Sequence, residues 1–173
     1  ASRCCAGSRP RSSAPRSSLE GGAEVTTHTA ASVIAAPREV VFALVADVER
    51  YPEFLPMWKR ARILSRHADG YETVQEVGLG PIRERFRTHT LLRSPDAIEV
   101  TSADGLFKAF RIGWTFADRG TSAHVEIALR WEVRSRLLQA AIDRVLPATA
   151  RSMVEAFERR ATTLRPAHPD ANR

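Results

Sequence analysis

The sequence predicts an α+β domain in which a curved antiparallel sheet of about six to seven strands is wrapped around one long C-terminal helix. Two observations predict this class. Short segments with the two-residue period of strands follow one another between residues 58 and 133, separated by turn signals such as Asp69-Gly70. From Ser135 to about Leu164 the period is helical, and only this segment is long enough to cover the apolar face of the sheet.

One strand and one helix are predicted before this series. A two-residue period begins at Glu24 and places on one face of a strand Val25, Thr27, Thr29, Ala31 and Val33. Pro37 stands where a helix tolerates proline, and it opens a predicted helix with the apolar face Val40, Val41, Leu44, Val45 and Val48. The stretch "RYPEFLPMWKRARI" at residues 50–63 follows, and its two prolines disfavour a long helix or a central strand there.

The predicted sheet continues through six further segments. Four short strands are expected at residues 58–66, 71–78, 82–92 and 97–102. In the next segment, "LFKAFRIGWTFA", one face carries Phe110, Ile112, Trp114 and Phe116. The last segment, "AHVEIALRWEV", has the cleanest alternation in the chain, with an inward face formed by Val125, Ile127, Leu129, Trp131 and Val133.

The terminal helix should begin after Ser135, a suitable N-cap, and Pro147 should kink or break it. Its apolar side is predicted to carry Leu138, Ile142, Val145, Met153, Phe157 and Leu164. A curved sheet around a single helix leaves an interior space of the kind in which small molecules bind. Aromatic residues at alternating positions are first interpreted as core, but some are expected to line this cavity, with the candidates Trp58, Phe86, Phe110, Trp114 and Trp131.

The chain ends differ in composition from the domain, which we expect to span residues 24–164. Residues 1–23 are rich in Ser, Arg, Gly and Pro, so we expect a disordered tail, and residues 165–173 should form a second one. The first tail also has the composition of an organelle transit peptide, and this alternative stays open. Cys4 and Cys5 are adjacent, so they provide neither a disulfide framework nor metal-ligand spacing.

The stretch at residues 50–63 is expected at the open rim of the sheet. Its apolar side chains Phe54, Leu55, Met57 and Trp58 either form a hydrophobic plug or act as a gate that contacts an apolar ligand. In the gate hypothesis, lipid headgroups at a membrane surface would be contacted by Lys59, Arg60 and Arg62. Because no apolar run approaches the roughly 20 residues of a membrane span, we expect a soluble cytoplasmic protein with at most peripheral membrane contact.

The net charge of +6 lies mostly outside the predicted domain. Residues 24–163 carry 20 basic and 18 acidic side chains, which argues against a DNA-binding module. A local exception is one face of the strand at 82–92, with Arg83, Arg85, Arg87 and His89. This row is a candidate contact for ribosomal RNA phosphate or anionic lipid. The alternative is neutralisation by glutamates on neighbouring strands, namely Glu72, Glu76 and Glu99.

The sequence offers little for catalysis. It contains no nucleophile motif, no metal-ligand spacing and no glycine-rich phosphate loop, so we predict neither catalytic residues nor a metal or other cofactor. The alternation directs His124 away from the apolar face of its strand. A cyclase or dehydratase would need a polar group buried in the cavity, and His89 and Arg111 are the first candidates for that role.

Three stretches carry a resemblance to a known family: "DVERYPEFLPMW", "GLFKAFRIGWTF" and "MVEAFERRA". Together they resemble the START-like coenzyme Q-binding proteins and the ribosome-association toxins, over about residues 26–164. The resemblance implies the helix-grip fold and the non-enzymatic binding of a polyprenyl quinone such as ubiquinone, or another isoprenoid lipid, in support of respiratory electron transport or quinone biosynthesis. The toxin relatives imply a second function, binding to the large ribosomal subunit and inhibition of subunit joining.

Overall fold

The fold is a seven-stranded antiparallel sheet that wraps around helices, and the computed structural model describes residues 27–79, 81–144 and 146–164. The strands are β1 (Thr27–Ile34), β2 (Trp58–His67), β3 (Gly70–Leu79), β4 (Ile82–Arg93), β5 (Ala97–Thr101), β6 (Phe107–Asp118) and β7 (Ala123–Val133). The helices are α1 (Arg38–Ala46), α2 (Tyr51–Phe54), α3 (Arg136–Asp143) and α4 (Leu146–Leu164), with a 3-10 turn at Val48–Arg50.

Sheet order follows from consecutive hairpins. The order is β1-β7-β6-β5-β4-β3-β2, so every neighbouring pair except β1 and β7 is joined by a short connection. The prediction of an α+β domain with a curved antiparallel sheet of six to seven strands is confirmed. The predicted tails and Val25 lie outside the described residues, and the domain boundaries stay predictions.

The short strand β5 leaves part of the sheet without backbone pairing. It pairs with β4 only from His89 to Arg93, so the first half of β4 has no strand partner on that side. Aromatic rings bridge the gap, with Phe86 of β4 at 5.0 Å from Phe107 and 5.6 Å from Phe110 of β6, measured between ring centroids. The turn after β5 also contributes, since Asp104 accepts a hydrogen bond from the backbone nitrogen of Arg87. This opening brings the inner face of β4 close to that of β6.

The predicted terminal helix is divided as expected from Pro147. The Ser135 hydroxyl accepts a hydrogen bond from the backbone nitrogen of Leu138 and so caps α3. Pro147 is the second residue of α4, where a helix tolerates its missing N–H. The buried side of α4 packs against β1, β7 and α1. Its central ring, Phe157, is fully buried and contacts Trp114 and Tyr51 edge to face at 5.2 and 5.4 Å. The side chains of Val145 and Leu164 lie outside the description.

Two predicted faces need correction. In β1, the residues that share a face with Val33 point outward, and Val33 itself is 48% exposed, because α4 covers the opposite face, which ends at Ile34. In α1, Val40 is 42% exposed, whereas Phe42 is buried and contacts Phe116 at 5.6 Å. In both elements each face carries apolar residues, so the period could not decide which face is buried.

Candidate ligand-binding cavity

An apolar cavity lies between the inner face of the sheet and the helices. The space free of protein atoms measures about 1130 Å³ when the open mouth is included. The centre of a water molecule can occupy only about 110 Å³ of this space. The cavity is therefore long and narrow. The sheet contributes most of its wall, and the helical segments contribute Val45, Val48, Tyr51, Leu138, Ile142 and Met153. Clefts of this kind, apolar with few polar groups, are typical sites for small molecules.

Six of the aromatic and gate candidates border the cavity: Met57, Trp58, Phe86, Phe110, Trp114 and Trp131. All three tryptophans of the chain are among them. Phe54 and Leu55 are not part of the lining. Leu55 is 3% exposed and lies in the core. The centroid of the Phe54 ring lies 5.1 Å from that of Phe157 and 5.7 Å from the guanidinium carbon of Arg160. The proline-containing stretch thus divides into an anchor, Phe54 and Leu55, and a cavity wall, Met57 and Trp58.

A small polar cluster is built into the inner face at β3 and β4. The amide nitrogen of Gln75 donates to the hydroxyls of Thr73 and Thr88 at 3.0 and 2.9 Å, and these hydroxyls share a hydrogen bond of 2.6 Å. The amide oxygen of Gln75 accepts from Trp58 Nε1 at 2.7 Å. The cluster is satisfied internally, which is the condition for burying polar groups without a large penalty. It positions the Trp58 ring at the cavity wall.

Both tyrosines of the chain are buried at the inner end of the cavity. The Tyr51 hydroxyl donates to the backbone oxygen of Val45, and the Tyr71 hydroxyl donates to that of Ala46 at 2.7 Å. Burial raises the pKa of Tyr51 well above its ordinary value, with Tyr71 and Asp47 adding to the effect. Burial also raises the pKa of Tyr71 to about 12. Both phenols are therefore neutral donors that hold the end of α1 against the sheet.

Two further polar groups of the lining have no hydrogen-bond or ion-pair partner within the described residues. The indole nitrogen of Trp131 is buried without an acceptor. Glu84 lies on the inner face of β4, opposite Val77 of β3, and its side chain borders the cavity. A partly buried carboxylate beside apolar groups is unusual in a protein interior. Among the described residues, the lining therefore offers an unpaired donor, the Trp131 N–H, and an unpaired acceptor, the Glu84 carboxylate.

The basic candidates lie on the opposite, outer face of the sheet. Three arginines on this face are exposed, namely Arg83, Arg85 and Arg87. His89 is partly exposed, and its ring centroid lies 6.1 Å from that of His67. Register places Arg60 and Arg62 of β2 on the same face, because Glu76 is opposite both Arg60 and Arg85, and Val74 is opposite both Arg62 and Arg87. The predicted neutralisation is limited: Glu76 forms an ion pair with Arg83 at 3.7 Å. We call these five arginines the basic face.

The two residues considered for cyclase chemistry do not border the cavity. Arg111 points outward and forms an ion pair with Glu99 at 2.7 Å, while His89 pairs across the sheet with Glu72 on the outer face. His124 is on the outer face, as expected, 3.8 Å from Glu126. The prediction that His89 or Arg111 could serve as the buried polar group is therefore wrong, because the strand alternation directs both away from the interior.

Neither a candidate metal site nor a helix that could cross a membrane is present among the described residues. Residues 27–79, 81–144 and 146–164 contain no group of three or more His, Cys, Asp or Glu side chains that could hold a metal ion. Within the same residues, no helix is long and apolar enough to cross a bilayer.

The sequence matches the family model described as polyketide cyclase / dehydrase and lipid transport over residues 34–158, well over half of the chain. The chain belongs to this family. Its matched part runs from the last residue of β1 into α4, so it includes nearly the whole sheet and every residue of the cavity lining. The family description covers both enzymes and lipid carriers.

Individual relatives are named for different functions. The ribosome association toxin RatA of Vibrio cholerae is 34% identical over 124 residues, which cover 71% of this chain and 86% of that protein. The mitochondrial coenzyme Q-binding protein COQ10 of Dictyostelium discoideum is 28% identical over 134 residues, covering 74% of this chain and 65% of that protein. A START superfamily structure from Mycobacterium smegmatis, 20% identical, superposes with a TM-score of 0.68 over 80% of this chain and 99% of that one.

These relatives confirm the recognised family and the START-like helix-grip fold.

The polar residues of the cavity were missed by sequence reasoning. Gln75, Glu84 and Thr90 all border the cavity, although none of them was named as a site candidate from the sequence. The available signal was the register of the β3–β4 hairpin. Once Phe86 is assigned inward, its neighbours two residues away, Glu84 and Thr88, must also be inward.

Proposed function

We propose that this protein binds an apolar ligand of the polyprenyl quinone or other isoprenoid class in its cavity, as a carrier and not as an enzyme. The observation that carries this proposal is the narrow apolar cavity, whose wall includes three tryptophans and the phenylalanines Phe86, Phe107 and Phe110. Burial of apolar ligand surface contributes about 25 cal/mol per Å², so such a wall supplies affinity without catalytic groups. A relative with a coenzyme Q-binding name supports the ligand class.

An entrance is proposed at α3, which borders the same cavity as Met57 and Trp58. This helix has no buried residue, and it contributes Leu138 and Ile142 to the cavity while Leu137 is 88% exposed. A short helix with so few buried contacts is the element that opens at least cost in free energy. In this proposal α3 moves to admit the ligand, and Leu137 contacts the membrane surface or carrier from which the ligand comes.

The three tryptophans make binding directly measurable. We would extract the purified protein with organic solvent, identify bound lipids by mass spectrometry, and titrate the delipidated protein with a short-chain ubiquinone while recording tryptophan fluorescence. Saturable quenching is expected, because every tryptophan borders the cavity. Absence of both bound lipid and saturable quenching would contradict the proposal.

A matched pair of variants on β3 provides the control. Val77 borders the cavity, whereas Val74 lies on the outer face between Arg62 and Arg87. Val77→Phe should fill part of the cavity and weaken quinone binding on the order of tenfold, equivalent to about 1.4 kcal/mol. Val74→Phe adds the same bulk outside and should leave binding unchanged. Equal effects from the two variants would place the ligand elsewhere.

A second function is supported by a separate observation, the basic face on β2, β3 and β4. Five exposed arginines surround Glu76 there. Among the described residues, Glu76 forms an ion pair with Arg83 at 3.7 Å. A surface of this charge suits a phosphate backbone, for which affinity grows with the number of phosphates contacted and falls with salt. The relative with a ribosome association name supports the ribosome as this polyanion, and the resemblance noted from the sequence implies its large subunit.

Co-sedimentation with purified large subunits tests this second function. The wild type should co-sediment at low salt, and Arg85→Glu with Arg87→Glu should abolish co-sedimentation while leaving quinone quenching intact. The control is Arg130→Glu, an exposed position on β7 of the same outer face but remote from the basic face. Wild-type protein found only in the ribosome-free fraction, or equal losses in the two variants, would count against the ribosome as partner.

A further inference from the structure

Among the described residues, one carboxylate borders the cavity, that of Glu84. Glu84 follows Arg83 and precedes Arg85, both of which point to the outer face, so alternation directs the Glu84 side chain inward. Its cross-strand neighbour Val77 and its inner-face neighbours Ile82 and Phe86 are apolar and also border the cavity. The carboxylate is thus placed where an apolar side chain would make the more favourable contact.

No described side chain offsets this charge. Glu84 forms no hydrogen bond or ion pair within residues 27–79, 81–144 and 146–164, and no Lys, Arg or His borders the cavity there. The undescribed side chains at 79, 80 and 145–150 are uncharged by sequence. The unpartnered N–H of Trp131 is a neutral donor, which does not neutralise a carboxylate. Within the described residues, the cavity wall therefore carries a carboxylate without a counter-charge.

We propose that Glu84 selects ligands by their polar head, favouring neutral heads that carry a hydroxyl donor and rejecting heads with a carboxylate or phosphate. A hydroxyl can donate to the Glu84 carboxylate, which has no hydrogen-bond partner among the described residues. An anionic head in the same narrow space would place like charges together, which disfavours its binding. This inference rests on the proposed ligand-binding function and narrows it to ligands with a hydroxyl head, such as a quinol or an isoprenoid alcohol, because an oxidised quinone head carries no hydroxyl donor.

Two ligands with the same chain, dodecanol and dodecanoate, separate the head from the tail. Their affinities would be measured by displacement of the short-chain ubiquinone, followed by tryptophan fluorescence, for the wild type and for Glu84→Gln, which keeps the size and removes the charge. The preference for dodecanol over dodecanoate should fall on the order of tenfold in Glu84→Gln. Glu76→Gln on the outer face is the control and should keep the wild-type preference.

The outcomes distinguish the two levels of the proposal. An equal preference in the wild type and Glu84→Gln, with both ligands still bound, would overturn the role of Glu84 and leave the ligand-binding function standing. Failure of the ubiquinone and of both dodecyl ligands to bind the wild type would overturn both. Glu84→Lys supplies an independent check of charge, because it should extend the change seen in Glu84→Gln and bind dodecanoate more tightly than Glu84→Gln does.

Discussion

Trp58 Nε1 donates a hydrogen bond of 2.7 Å to the amide oxygen of Gln75, which joins the proline-containing stretch to the buried polar cluster on β3 and β4. The same indole ring contacts Tyr51 edge to face at 5.8 Å. One side chain therefore connects the proline-containing stretch, the polar cluster and the buried Tyr51 at the start of α2. Such an arrangement keeps the Trp58 ring in one orientation, so that it forms a defined part of the cavity wall.

The Trp58–Gln75 hydrogen bond should be measurable as a coupling in stability. Trp58→Phe leaves the Gln75 oxygen without its donor and should lower the free energy of unfolding by about 1–2 kcal/mol. Gln75→Leu removes the acceptor, and the double variant should show a coupling of about 1 kcal/mol. Urea unfolding followed by circular dichroism measures all four proteins. Strict additivity would mean that the bond contributes nothing to stability.

Phe54 and Met57, although only three residues apart, should affect different properties. Phe54 packs against Phe157 outside the cavity, so Phe54→Ala should lower the free energy of unfolding by about 2 kcal/mol and leave ligand affinity unchanged. Met57 borders the cavity, so Met57→Ala should weaken quinone binding roughly fivefold, or about 1 kcal/mol. Urea unfolding and fluorescence titration of both variants give the comparison. A loss of affinity in Phe54→Ala would return Phe54 to the ligand site.

Alkaline pH should destabilise the fold through its two tyrosines. The pKa of Tyr71 is raised from 10.0 to about 12, so the neutral phenol is favoured by folding. This contribution is fully present below pH 10 and is lost as pH rises to about 12, amounting to about 3 kcal/mol for Tyr71. Absorbance at the phenolate band should show both tyrosines titrating later in the folded protein than in urea. Tyr71→Phe should reduce the fall in stability over this window.

For Tyr51 the direction is the same, because burial raises its pKa as well. The variant Tyr51→Phe should therefore leave one late-titrating phenol in the folded protein, that of Tyr71. A phenol that titrates at its ordinary pKa in either variant would contradict the burial of the remaining tyrosine at the cavity end.

The buried face of α1 can be tested with two neighbouring residues. Phe42 is 7% exposed and contacts Phe116, so Phe42→Ala should lower the free energy of unfolding by about 3 kcal/mol. Val40 is 42% exposed, and Val40→Ala should change it by no more than about 0.5 kcal/mol. Thermal or urea unfolding distinguishes the two outcomes. Similar losses would support the apolar face predicted from the helical period instead.

Element order, the turn positions and the break at Pro147 were predictable because each depends on local chemistry. Asp69-Gly70 separates β2 from β3, and Ser135 caps α3, as proline, glycine and short polar side chains favour these conformations with little help from the rest of the chain. The inward face of β7 was also predictable, because its alternation of large apolar and polar residues leaves one choice.

The interior of β3 and β4 could not be predicted in the same way. Thr73 and Gln75 are buried while Val74 lies on the outer face, which reverses the usual placement of polar and apolar residues. Burial is possible because the threonine and glutamine side chains form hydrogen bonds with each other and with Trp58. Local sequence carries no information about such partners. The division of the aromatic residues into cavity wall and core likewise depends on where the helices stop covering the sheet.

The sequence by itself thus determined the strands, turns and helix break, because each follows from periods and local conformational preferences. Only the tertiary structure decided which faces are buried in β1 and α1, which side chains border the cavity, and that Glu84 is directed into it. The physical reason is that a period relates the faces of one element to each other. Burial depends on which other element packs against each face, and that is a property of the whole fold.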